Sequence, residues 1–172
     1  GLDCLMVLWD FSRGKKKAEF PFQAASEGQI FNPPMVHSVA VPDTRPLAHW
    51  VAVARGDAKV ALYDISSNKK VKSDDHFILE SREQGHSASV AHVCFTKFHD
   101  NKYILSGGND GKVVLWDWAT ATDASEDPAV RKVVAWSLKH GPNVNWTATT
   151  DGAANNVLVA DTSNCISAYS IQ

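Results

Sequence analysis

The chain is built from short apolar runs rather than long amphipathic ones. LMVLWD, WVAVA, VALYDI, VAHVCF, VVLWDW and ISAYSI are five or six residues each, rich in Val, Ile, Leu and aromatics. Gly, Asn, Asp, Ser and Pro separate them, which is the pattern of strands joined by turns and not of helices. Strands are therefore expected over 5–10 and 18–22, with the basic residues 15–17 leading into the second. A second group follows at 36–41, 50–54, 60–65 and 77–80, and a third at 90–95, 103–106, 113–118 and 133–138. The last group is 144–148, 157–160 and 166–171. Runs such as Val113-Val114-Leu115 are apolar at successive positions, so both faces of those strands are expected to be buried. Residues 67–75 and 119–131, polar or small and charged, read as exposed loops. Pro33, Pro34 and Pro42 bracket a strand without interrupting it.

The groups repeat. Each closes on an aromatic, at Trp9, Tyr63, Trp116 and Tyr169, in steps of 54, 53 and 53 residues. Asp3, Asp57 and Asp110 each precede their aromatic by six positions, and Ser163 holds that place in the fourth group. Internal repetition at this period means an array or ring of sheets, each too small to bury its own faces. The fold class expected is all-β, a partial propeller of three to four blades. The domain assignment covers 1–172: blade remnants over 1–25, whole blades over 30–81 and 85–139, and a last blade over 140–172 without its outer strand. Because the chain opens inside a repeat, it is expected to be a piece of a longer protein.

Composition changes this picture little. The 172 residues are 44% hydrophobic, with a formal net charge of −2. That balance argues against broad capture of nucleic acid or anionic membrane, so neither is expected as a partner. Cys4, Cys94 and Cys165 lie far apart without CxxC spacing and read as reduced thiols inside the cell, cytoplasmic or nuclear. The seven histidines show no ligand spacing, and no metal or cofactor is expected. Ser106, His86 and Asp110 could be taken for a catalytic triad. A structural role accounts for them without a cleft. Lys15–Lys17 reads as a solvated edge. Thr122, Ser125, Glu126 and Asp127 look like an acid-directed phosphorylation site set in an acidic loop.

The stretch from Gly85 to Trp118, GHSASVAHVCFTKFHDNKYILSGGNDGKVVLWDW, opens on Gly-His and closes its third run on Trp-Asp. This resembles a WD40 repeat, one blade of a β-propeller. GGNDGKVVLWD, HGPNVNW and NVLVADTSNCISAYSI extend the resemblance along most of the chain. It implies a ring of about seven blades with no established catalytic activity. It also implies that His86, Ser106, Asp110 and Trp116 form a buried hydrogen-bond network, with Asp3, Trp9, Asp57, Tyr63 and Tyr169 as structural equivalents in the other repeats. No other repeat holds the full set, so the flanking blades are expected to rely on packing. The function expected is a non-enzymatic scaffold that binds other proteins through loops at one end of the ring, with Arg55, His99, Asn109, Lys112 and Asn143 as contact residues. Two alternatives stand beside it. One is a substrate receptor of a cullin-RING ubiquitin ligase, although the Trp-Asp-any-Arg motif of such receptors is absent after Trp9 and Trp116. The other is a hydrolase or metal enzyme with its site at the ring centre.

Overall fold

In the computed structural model, residues 1–23, 32–66, 76–123, 125, 131–151 and 155–171 are described. They form thirteen strands in four antiparallel sheets. The first sheet pairs β1 (Leu5–Asp10) with β2 (Lys15–Pro21), so the basic run begins the strand instead of leading into it. The second has the order β3 (Val36–Ala40), β4 (Trp50–Arg55), β5 (Val60–Asp64), β6 (His76–Leu79). The third is β7 (Val90–Phe95), β8 (Tyr103–Gly108), β9 (Lys112–Asp117), β10 (Val134–Lys139). The fourth is β11 (Val144–Thr149), β12 (Asn155–Asp161), β13 (Ile166–Ile171). Each sheet is a meander whose neighbours in sequence are neighbours in space. The molecule is a partial β-propeller.

The core lies between the sheets, and strand periodicity distributes it. Successive side chains point to opposite faces. On β4, Ala52 and Ala54 join a cluster with Val93, Ile104, Val114 and Trp116 of the third sheet. Val51 and Val53, between them in sequence, join a different cluster with Met6, Phe20 and Tyr63. On β9, Val114 and Trp116 face the second sheet, while Val113 and Leu115 face Val144, Val157 and Val159 of the fourth. A strand with a sheet on either side must be apolar at every position, which explains the unbroken apolar runs.

The closing aromatics Tyr63, Trp116 and Tyr169 face the preceding sheet. Trp116 and Tyr63 are 0% and 1% exposed, while Trp9 is 60% exposed because no sheet precedes β1 in this chain. Innermost strands β3, β7 and β11 start on Val36, Val90 and Val144, 54 residues apart, and each carries a register shift at its second residue. Bulges of this kind bend a strand and re-aim its side chains.

The expected loop over 119–131 is corrected at its start. Residues Trp118–Thr122 form a short helix, α1, capped by Asp117, whose Oδ1 accepts from the Thr120 N–H at 3.2 Å. Its small residues let Trp118 and Ala121 reach the core, and the Trp118 indole N–H donates to the Asn101 carbonyl at 2.8 Å. The 67–75 loop, Glu126 and Asp127 lie outside the described residues.

Candidate functional site

The third blade holds a closed polar relay. His86 Nδ1 lies 3.1 Å from Asp110 Oδ1, and its Nε2 lies 2.8 Å from Ser106 Oγ. The Trp116 indole N–H donates to the same Ser106 Oγ at 2.8 Å. One proton arrangement satisfies every group: His86 Nδ1–H donates to the carboxylate, and the Ser106 hydroxyl donates to Nε2 while accepting from the indole. The carboxylate also accepts from the backbone N–H groups of Ser87 at 2.8 Å and Lys112 at 3.1 Å. Burial alone raises a carboxyl pKa. Here the His86 and backbone hydrogen bonds outweigh it and hold Asp110 down at about 2. Gly108 sits beneath the imidazole, where a Cβ would come within 2.6 Å of His86 Nδ1. Gly111, at φ +69°, turns the chain so that its carbonyl accepts from the N–H groups of His140 and Gly141. The order Ser–His–Asp is that of an acyl-transfer triad, but the Ser106 and His86 side chains are wholly buried and the serine oxygen is already engaged by Trp116. As arranged, the set is a strut.

The second and fourth blades have struts of their own, where sequence reasoning expected reliance on packing. In the second, Arg55 donates to Asp57 from Nε at 2.9 Å and from Nη2 at 2.5 Å, with both side chains at most 7% exposed. The guanidinium also lies over the Phe22 ring. Arg55 was expected among contact residues; it is instead a buried ion-pair partner. Its signal was the Arg-Gly-Asp spacing, which sets opposite charges either side of a glycine where β4 enters its turn. In the fourth blade, His140 Nε2 lies 2.7 Å from Asp161 Oδ2 and its Nδ1 2.7 Å from Tyr169 Oη. Hydrogen bonds from the Ser163 side chain, from His140 and from the Ser163 backbone hold Asp161 at about 2. The acid is thus Asp161, two positions before Ser163. His140 follows His86 by 54 residues, the step that separates the inner-strand valines, and that spacing could have revealed it.

Asn109, Lys112 and Asn143 lie at the same end of the sheets, where Gly111 of the β8–β9 turn meets His140 and Gly141 of the β10–β11 link. Asn109 and Asn143 are exposed, and Lys112 Nζ reaches the Gly85 carbonyl at 2.7 Å. His99 is not with them. It lies in the β7–β8 connection at the opposite end, because Phe95 pairs with Ile104 there while Val90 pairs with Gly108 at the rim end. Beside the rim, a polar cleft of about 540 Å³ runs between the second and third blades, lined by Asp57, Lys59, Glu80, Arg82 and His86. Lys59 and Glu80 are paired at 3.2 Å. Among the described residues there is no cluster of His, Cys, Asp and Glu able to hold a metal, and no helix is long and apolar enough to cross a membrane.

Meander sheets packed side by side, with a His–Ser–Asp–Trp strut inside one of them, make the described residues a partial β-propeller whose third blade resembles a WD40 repeat. The chain is similar to the WD repeat-containing protein 53 homolog of Dictyostelium discoideum, with 26% identity over 99% of its length. It is also 25% identical over 62% of its length to pre-mRNA-processing factor 17 of Homo sapiens and of Mus musculus. The chain spans about half of the Dictyostelium protein (51%) and 17% of the processing factors. No family model matches it.

Proposed function

We propose that the protein is a non-catalytic scaffold inside the cell that binds other proteins through the rim bearing Asn109, Lys112 and Asn143. The observation that carries this reading is the division of labour among its polar groups. The His86–Asp110 and His140–Asp161 pairs are consumed inside the blades, with side chains at most 5% exposed, and the exposed His49–Asp64 contact, at 4.0 Å, is too long for a hydrogen bond. The rim keeps polar side chains on tight turns that rigid sheets position, which is how loops on a stable frame serve recognition. WD-repeat relatives support the general role. The two processing factors, by name, work in pre-mRNA processing, and this is consistent with a place inside the cell.

The test is chemical cross-linking of the full-length protein in its native extract, followed by identification of the attached proteins. An Asn109→Ala, Lys112→Ala, Asn143→Ala triple variant is compared with a His99→Ala, Lys102→Ala variant at the opposite end. The rim variant is expected to lose its main attached proteins, with the distal variant keeping them. Equal retention by both would remove the rim from the proposal. Hydrolytic activity abolished by His86→Ala in a protein that stays folded would overturn the non-catalytic reading.

A further inference from the structure

The inner strands β3, β7 and β11 are the first strands of their sheets and present open edges toward one another. Side chains from the neighbouring inner strand close those edges. Val93 N–H is taken by Ser38 Oγ at 3.4 Å, and Lys97 N–H by Thr149 Oγ1 at 2.8 Å. Thr147 N–H is taken by His92 Nδ1 at 3.2 Å. Two of these acceptors are hydroxyls, indifferent to pH between 4 and 7. The third is an imidazole nitrogen that can accept only while it is unprotonated. His92 is 6% exposed, stacks on Trp146 at 3.8 Å between ring centroids, and has the Thr147 hydroxyl 3.0 Å from Nδ1.

We propose that the joint between β7 and β11 is an acid-released latch, in which protonation of His92 removes the acceptor for Thr147 N–H and opens the cleft between these two inner strands. A proton on Nδ1 would be donated to the Thr147 hydroxyl oxygen and would face the Thr147 N–H donor to donor, so that the buried amide would be left without a partner. Among the described residues no negative charge faces the ring, and what eases a positive charge there is the Trp146 face and the Thr147 hydroxyl oxygen. From β11 the cleft receives Trp146, Thr147, Ala148 and Thr149, and from β3 Ser38, Val39 and Ala40, none of them ionisable. β8 places Gly107 opposite His92, and the Arg55 of β4 is occupied by Asp57. On β7 itself stands Cys94, a thiol held up at about 11 by burial and therefore neutral throughout, and just beyond it the Lys97 ammonium, a like charge. No carboxylate lines this cleft among the described residues.

Burial drives His92 down to about 4. The unfolded imidazole titrates near 6.5, so the contribution of neutral His92 is complete above about pH 6.5 and is lost as pH falls toward 4. The cleft, about 340 Å³, already presents Val39 and Trp146 to solvent, and release of the latch would widen it.

Amide hydrogen exchange of the 172-residue chain, corrected for the intrinsic pH dependence, tests this. Between pH 7 and 4 the Thr147 amide is expected to lose roughly tenfold or more of its protection while Val93 and Lys97 keep theirs. A His92→Gln variant, whose side-chain carbonyl can accept at all pH values, is expected to hold Thr147 protection constant. Unchanged Thr147 protection in the wild type would overturn the latch. So would its loss in step with Val93, or an equal loss in His92→Gln.

Discussion

Asp110 is a buried carboxylate kept ionised by its donors, and this makes its contribution depend on pH in a calculable way. Its folded value lies below the unfolded one, from 3.8 to about 2. The stabilisation is therefore complete above about pH 4 and is lost as pH falls through 2. A displacement of this size corresponds to roughly 2 kcal/mol. Urea midpoints at pH 7, 4 and 2 should show the wild type losing stability between the last two, and Asp110→Asn should lose less over that interval. Asp161 titrates in the same window, so the Asp110→Asn, Asp161→Asn double variant should be flatter still. Identical acid profiles for all three would mean that these carboxylates are not the acid-sensitive struts.

At the level of the element, the β4–β5 hairpin shows how a repeat that lacks the histidine manages its turn acid. Arg55 at the end of β4 folds back onto Asp57 with bidentate geometry, and both are buried. Removing one partner of such a pair leaves an uncompensated charge, at a cost of about 3–5 kcal/mol. Removing both costs less than the sum. Arg55→Ala should accordingly destabilise the protein strongly, and adding Asp57→Ala should restore part of the loss, as read by thermal or urea unfolding. Additive losses would show that the pair acts independently. This hairpin also marks how far sequence reading reached. The strands β1, β7 and β13 were legible residue for residue, because short runs rich in apolar residues and bounded by turn residues have one good solution. So was the set His86, Ser106, Asp110 and Trp116, which the structure joins. Arg55 and His140 were not, since a buried charge is recognisable only through its partner, and partners here lie across a turn or 21 residues apart. His99 was placed at the wrong end because which end a loop occupies depends on counting strands in the sheet. The helix α1 escaped notice because five residues are too few to show a helical period.

For the whole molecule, the decisive fact is that the core is divided into three layers, each shared by two adjacent sheets. In such an array stability approximates a sum of blade and interface terms between nearest neighbours. The second and third sheets each have a neighbour on both sides and all four strands. Among the described residues the first has two strands and the fourth has three, with β1 and β13 each open along one edge. The middle sheets are also tied to each other by the largest cluster, where Trp116, Trp118 and Ile104 meet Leu62 and Leu79. Opening should therefore proceed from the ends inward. In native-state hydrogen exchange, amides of β1, β2 and β13 should exchange through low-energy local opening, and those of β4, β5, β8 and β9 only near global unfolding. Trp116→Ala removes a fully buried indole from the layer between the middle sheets and should cost about 3–5 kcal/mol. It should also lower protection in β4 and β5, which touch the indole layer but contain no altered residue. If that variant lost protection only within the third sheet, the sheets would be independent units and the layered core would not be what couples them.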